Sequence, residues 1–351
     1  MLGFDTRAAR TAWTVFLVAL LLVGLYYIRT VVLVFILAIL LAYMLAPIVN
    51  LVDRMQPWTR SRTYSLAVVY TALIGLLILA GVLVGNRVAQ EASNLATGFP
   101  ELQKTVVKRL QEPWPAWFEP LRQQIREGAQ NLGPLLVPLM QQAGARILSV
   151  LPRIVFVVLI PILSFFFLKD GRELRERALA LVRPERRAMW DDIAGDIHVL
   201  LGRFIRALAL LALATLTAYG IFFTVIGLPY SLLLATIAGT LEFIPLFGPV
   251  AAVAIVVLVA VISGFGHFWL ILVSLVAYRM FQDYFLSPHL MSAGVALHPL
   301  LVIFGALAGG ELAGIPGMFL SVPVMATLRV LYVRVRKARE MATLTTPATS
   351  P

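Results

Sequence analysis

The 351-residue chain contains no cysteine, which excludes disulfides, thiolate nucleophiles and cysteine-ligated metals. It is also poor in charge. Asp, Glu, Lys and Arg make up 13% of it, against about 25% in soluble domains. Acidic residues are the scarcer sign, 18 against 29 basic ones. Four histidines, His198, His267, His289 and His298, show no metal-ligand spacing such as H-E-x-x-H, so surface or interface roles are expected for them. No G-x-x-x-x-G-K-[ST] loop is present to cradle phosphates, and ATP-driven transport by this chain alone is not expected. No nucleophile–base arrangement stands out either. Serines and threonines inside apolar runs are expected to back-bond to their own helices. No enzyme, cofactor or metal site is therefore expected.

What is present is apolar. Hydrophobic residues make up 60% of the chain and the mean hydropathy is +0.89. A membrane span takes about 20 such residues, and the sequence offers several runs of that size. An all-α polytopic membrane protein is expected, with the lipid bilayer as its main partner. The net charge of +11 lies in short stretches between the apolar runs, where basic residues set orientation. Nucleic-acid binding is not expected.

About eight hydrophobic segments are legible. The first, 11–28, follows Arg7 and Arg10 and ends in "YYIR" without a small-residue cleavage site, so it reads as a retained span. A turn at Ile28–Thr30 is expected to return the chain as a second span, 31–51. "VDRMQPWTRSR" then leads to a third at 63–85, which completes a first unit, 1–85. Residues 86–151 read as an extracytoplasmic insertion, divided by its prolines into short amphipathic helices, and serve either as a cap or as an oligomerisation element. A fourth span, 152–168, precedes a charged region, 169–203, expected to lie along the inner membrane surface. A C-terminal transport region, 204–339, holds span 204–226, a run at 228–262, a span at 268–287 and a run at 297–333. The tail, 340–351, reads as disordered.

Basic residues sit before the first span, at Arg54, Arg60 and Arg62, in 169–203, and five more lie in 329–339. By the positive-inside rule both termini and 169–203 are expected to be cytoplasmic.

The runs 228–262 and 297–333 are too long for one span and broken in the middle. The first contains "TLEFIPLFGPV". Pro245 removes a backbone donor, and Gly248-Pro249 suits a helix restart. The second contains "GGELAGIPG", with Glu311, Gly314, Pro316 and Gly317 at its break. Each is expected to be either a kinked span or a re-entrant hairpin. Glu242 and Glu311 align at one offset, as weak internal repetition. Irregular backbone at membrane depth survives only where protein or water satisfies it, and paired broken segments point to a transport site. The expected site therefore comprises Glu242, Pro245, Gly248, Pro249, Asp283, Glu311, Gly314, Pro316 and Gly317. Desolvation favours a protonated carboxylate, so proton or monovalent-cation exchange is among the chemistries considered. The plainer reading has each glutamate capping a helix or pairing with Arg206 or Arg279. Asp283 has Arg279 four residues before it as a local partner.

These residues resemble the autoinducer-2 exporter family of bacterial permeases. The resemblance covers about 10–335 and rests on "LLAYMLAPIVNLVDR", "FFFLKDGRELRERALALVRPERR", "GRFIRA", "GLPYSLLLATIAGTLEFIPLFGPV" and "FQDYFLSPHLMSAGVALHPLLVIFGALAGGELAGIPGMFLSVPVMATLRVL". It implies a bacterial inner-membrane carrier of a small polar solute such as autoinducer-2. It also implies, for some members, sodium or lithium exchange for protons, and a homo-oligomer with a pentamer as the suggested count. Ala207 departs from the glycine–glutamine pair seen in relatives. The reading is a gradient-driven secondary permease working by alternating access. The alternatives are a Na+(Li+)/H+ antiporter and, in another class, a non-transporting membrane scaffold.

Overall fold

The structure, a computed structural model, describes residues 6–55, 62–109, 154–290 and 297–345, and these are helical with short connections and no β-strand among them. Six of the helices are long and apolar enough to cross a membrane, at Arg10–Tyr27, Arg29–Met55, Arg62–Leu95, Pro184–Val225, Phe268–Leu290 and Pro299–Ala338. The protein is an all-α polytopic membrane protein.

Helices α1 (Thr6–Tyr27) and α2 (Arg29–Met55) are separated by Ile28 alone. Ile28 N–H donates to the Gly24 carbonyl at 3.1 Å and Val32 N–H to that of Ile28 at 3.0 Å. Helical i→i−4 bonding thus runs through the junction, and the reversal expected at Ile28–Thr30 does not occur. Residues 25–30 contain neither proline nor glycine, and helix propagation gains a bond for each residue fixed. The described side chains of α1 from Arg10 onward are all exposed, as suits a helix solvated by lipid.

Helix α3 (Arg62–Ala80) passes through one wide π-type turn, Gly81–Gly85, into α4 (Asn86–Arg109). Pro100 lies inside α4 and does not end it, contrary to expectation. A lone proline removes one bond and can bend a helix without stopping it. The rest of the expected insertion, including "EPWPAWFEP", lies outside the described residues. Helices α2, α3 and α5 (Ile154–Ala180) share a core of Leu45, Val49, Leu66, Val69 and Leu168. A buried hydrogen bond between the hydroxyls of Tyr70 and Ser164, 2.6 Å, ties α3 to α5.

The region 169–203 is not a separate element but is divided between two long helices. Helix α5 runs on to Ala180, and α6 (Pro184–Val225) begins immediately after, with proline in its first turn. At 42 residues α6 reaches about 63 Å, twice a hydrocarbon core, so its first half projects as one arm of a helical hairpin. Arg175 clamps the arms. Its Nε donates to Asp191 Oδ1 at 2.9 Å and its Nη2 to the Asp191 carbonyl at 2.8 Å. Arg187 caps the end of α5 by donating to the Val182 and Ala180 carbonyls, the basic-residue C-cap expected where carbonyls lack partners.

Helices α7 (Ser231–Leu241), α8 (Phe247–Ile262), α9 (Phe268–Phe281), a second π-type turn, the short α10 (Ser287–Leu290) and α11 (Pro299–Thr345) complete the chain. Helix α11 carries the chain through 340–345, which were expected to be disordered, and an i,i+4 pair between Arg336 and Glu340 supports that turn. Residues 346–351 lie outside the described residues. Near its C-terminus Arg334 donates to Asp196 at 2.7 Å and approaches Asp192 at 3.6 Å. The basic extensions of α6 and α11 therefore lie at the same end of the molecule. Tyr43 of α2 meets His198 there, ring to ring at 4.9 Å.

Candidate functional site: two helical hairpins and a mid-depth carboxylate

Both over-long runs are hairpins. In the first, α7 runs back along α6: an added Cβ at Gly220 would meet Ala235, and one at Gly239 would meet Ala212 and Leu216. At 11 residues α7 reaches about 17 Å, half a bilayer core. The chain turns over residues 242–246 and α8 returns, with Leu234, Ala238, Ala252 and Val256 sharing one core. The legs touch at Gly248, where a Cβ would stand 1.8 Å from the Leu241 carbonyl oxygen. Only glycine permits that approach. Pro249 falls in the first turn of α8, and the Pro245 carbonyl accepts from Phe247 N–H at 2.8 Å. That i→i+2 bond makes Leu246, at φ 67° and ψ −52°, the centre of a γ-turn of the rare, strained hand.

The second hairpin is folded within α11. Its backbone leaves helical geometry at Ala313 and at Gly314, which has φ 64° and ψ −145°, a region open to glycine. A Cβ at Gly305 would touch Ser321 and Met325, one at Gly310 would touch Met318, and Gly309 and Gly317 pack backbone to backbone. These pairs run antiparallel about the Ala313–Gly314 tip. Pro316 stands just after the tip, where a helix restarts.

The hairpins approach from opposite ends. The first leaves the far end of α6, beyond Val225. The second leads, some 20 residues after its tip, to Arg334 at the basic end, a rise of about 30 Å. From Asp196 to Thr215 along α6 is about 29 Å by the same rise. The tips therefore lie at similar depth, and Phe243 and Phe319 meet there at 5.7 Å, edge to face.

Glu242 occupies the first tip, at the C-cap of α7. Thr215 lies midway along the apolar half of α6, and its hydroxyl donates to Glu242 Oε1 at 3.2 Å. Gln282, at the start of the second π-type turn, donates from Nε2 to Oε2 at 2.9 Å. The Tyr278 hydroxyl is 3.0 Å from Thr215 Oγ1. Since a hydroxyl has one proton, Thr215 donating to Glu242 leaves Tyr278 as the donor to Thr215. Tyr219 packs on Tyr278 at 4.7 Å. Thr215 and Gln282 are 1% and 2% exposed. The carboxylate thus has two neutral donors, one reinforced by a third, and no ion-pair partner among the described residues. Placing it mid-membrane costs about 2.5–3.5 kcal/mol on insertion scales, which these bonds offset in part.

The other expected residues fall elsewhere. Asp283 pairs with Arg279 at 2.9 Å, the local i,i+4 partner. Adjacent helical residues differ by about 100° in direction, so Gln282 faces Glu242 while Asp283 and Arg279 line an open groove of about 360 Å³. Glu311 is exposed, two residues before the second tip, and has no side-chain partner among the described residues. Arg206 is half-buried on α6, nine residues before Thr215, and neither it nor Arg279 bonds Glu242. Gly314 and Pro316 shape the second tip. Thr215, Tyr278 and Gln282 were missed by sequence reasoning. Their only signal was polarity inside runs such as "LALATLTAYG" and "VAYRMFQDY", where back-bonding is the usual fate of a threonine.

The fold and site together define the class: an all-α polytopic membrane protein with a hydrogen-bonded carboxylate at the tip of one short helical hairpin and a second hairpin tip beside it. A family model described as "AI-2E family transporter" matches residues 15–337. The chain belongs to that family, which is one of transporters and not of enzymes. It is 26% identical over 319 residues to "Putative transport protein YrrI" of Bacillus subtilis (strain 168), covering 89% of this chain and 88% of the relative. It is 27% identical over 342 residues to "Putative transport protein MT0215" of Mycobacterium tuberculosis, covering 91% and 88%. To "Putative permease PerM" of Escherichia coli (strain K12) it is 26% identical over 305 residues, covering 84% of each.

Proposed function

We propose that the protein is a gradient-driven secondary transporter in which Glu242 exchanges a proton or monovalent cation while the two hairpins alternate access to the membrane midplane. The observation that carries this reading is the Glu242 carboxylate held by Thr215 and Gln282 without a counter-ion among the described residues. A carboxylate committed to an arginine is a structural pair; one held by neutral donors keeps a free charge for a mobile cation. The cargo in this reading is a small polar solute, exported, and autoinducer-2 is the solute that the family resemblance suggests. The basic end, formed by 169–203 and 329–339, faces the cytoplasm of a bacterial cell, and the chain works as a homo-oligomer in the inner membrane. The expected site residues keep separate parts: Glu242 binds, Pro245, Gly248 and Pro249 form the first tip, and Gly314, Pro316 and Gly317 form the second. Glu311 and Asp283 reach the path when the hairpins move.

The oxygen-rich surroundings of Glu242, from Thr215 and Tyr278, also favour a second reading, exchange of sodium or lithium for protons without an organic cargo. Both are tested in sealed proteoliposomes. A pH gradient is imposed, sodium or lithium is added, and internal pH is followed for wild type and Glu242→Gln. Cation-dependent proton flux lost in the variant supports the antiporter. No such flux, with efflux of labelled autoinducer-2 that Glu242→Gln abolishes, supports the exporter. Equal activity of wild type and variant in both assays refutes a transport role for Glu242.

A further inference from the structure

Helix α4 does more than extend α3. Its inner face, Val88, Ala92 and the 3%-exposed Leu95, packs into the core shared by α6, α7, α8 and α9. One turn later Gly98 faces the Tyr230 hydroxyl, 4.0 Å from a built Cβ. Helix α7 begins without a cap of its own: Tyr230 at the N-cap has φ 61° and makes no side-chain capping bond. The missing acceptor comes from α4. Glu91 Oε2 accepts from Leu233 N–H at 2.8 Å, across 142 residues of sequence. Leu233 is the third residue of α7, the position an N-cap side chain normally serves, and a carboxylate there also meets the positive end of the helix dipole.

From Leu233 to Glu242 is one rigid helix of about 14 Å, so whatever fixes the start of α7 fixes the depth and rotation of Glu242 against Thr215 and Gln282. Between α4 and the membrane-crossing α3 lies the π-type turn Gly81–Gly85, whose described side chains are exposed and whose terminal glycines have nothing within 4 Å of a built Cβ. Such wide turns are points where a helix can be re-aimed. Helix α4 is therefore packed against the first hairpin through its inner face and joined to α3 by this wide turn.

We propose that Glu91 is a positioning residue of the transport site: it latches α4 to the start of α7, holding the first hairpin in register with Thr215 and Gln282, and it releases when α4 swings about Gly81–Gly85. This rests on the transport reading for its purpose but not for its geometry. The absence of cysteine makes the test direct. Thr236→Cys, on α7, and Ala194→Cys, half-buried in the polar first half of α6, are made separately in the full-length protein with Glu91 or with Glu91→Leu, which removes the acceptor. Each is reconstituted in liposomes and reacted with a membrane-impermeant maleimide on both faces, and solute and proton flux are measured alongside. Losing a hydrogen bond to a charged group is expected to raise labelling at Thr236→Cys about tenfold while labelling at Ala194→Cys stays constant. Unchanged labelling at Thr236→Cys, or a parallel rise at Ala194→Cys, overturns the latch. Absence of all flux in the wild type overturns the transport reading alone, since labelling decides the latch without any cargo.

Discussion

Gly248→Ala is a sharp test of the first hairpin. The Cβ it adds would stand 1.8 Å from the Leu241 carbonyl oxygen and 2.7 Å from the carbonyl carbon. Ordinary contact between such atoms needs more than 3 Å, so the legs must part by over 1 Å. The obstacle is backbone on both sides, and no side chain can rotate away to absorb it. Overpacking a well-fitted interior costs about 1–3 kcal/mol, and more where backbone must move; we expect about 3 kcal/mol here. Gly266→Ala is the control, since an added Cβ there has nothing within 4 Å. The assay is thermal unfolding of the detergent-solubilised protein, with a drop of several degrees expected for Gly248→Ala and little change for Gly266→Ala. The shift also lifts Glu242 away from Thr215 and Gln282, so flux should fall together with stability. If Gly248→Ala unfolds and transports like Gly266→Ala, the two legs are not in backbone contact and the hairpin as described is wrong.

Other expectations follow from single contacts. Gln282→Leu leaves Glu242 Oε2 without its donor and should lower transport by about tenfold, since a bond to a charged group contributes about 1.5–3 kcal/mol; Glu242→Gln added to it should restore stability without restoring flux, as read by paired melting and transport assays. Tyr70→Phe strands the Ser164 hydroxyl, which is 0% exposed, and should destabilise by about 1–2 kcal/mol, whereas Tyr70→Phe with Ser164→Ala should come close to neutral; a double-mutant melting cycle measures the difference. Leu246→Gly should relieve the positive-φ strain at the first tip and stabilise by about 1 kcal/mol, observed as a higher melting temperature.

Much of the candidate site was legible in the chain before the fold. Glu242, Pro245, Gly248 and Pro249 stand out because they break a rule: polar, donor-less and side-chain-less residues inside an apolar run must be tolerated for a reason. The run length added a second argument, since about 32 helical residues overshoot a bilayer. Neither could choose between a kinked span and a hairpin. That choice depends on whether the legs find partners side by side, which Gly248 against Leu241 and Gly309 against Gly317 decide. Glu311 shows the limit of the same logic: its flanking pattern resembles that of Glu242, but its side chain meets no partner among the described residues.

Composition and local pattern along the chain are enough to fix its solvent and its secondary structure. An apolar composition forces the chain into lipid, lipid forces backbone bonds to close within helices, and proline and glycine mark where the helices stop. Local signals did less well at joins. The turn expected at Ile28–Thr30 and the surface helix expected at 169–203 are uninterrupted helix in one case and a tight helical hairpin in the other, because charge marks where a helix leaves the membrane, not where it ends. Packing in three dimensions sets who faces whom. Thr215, Gln282 and Glu91 are ordinary residues in their own helices. They become ligands and latch for one hairpin only because partners 27, 40 and 142 residues away are packed within hydrogen-bond reach, a relation no local pattern encodes.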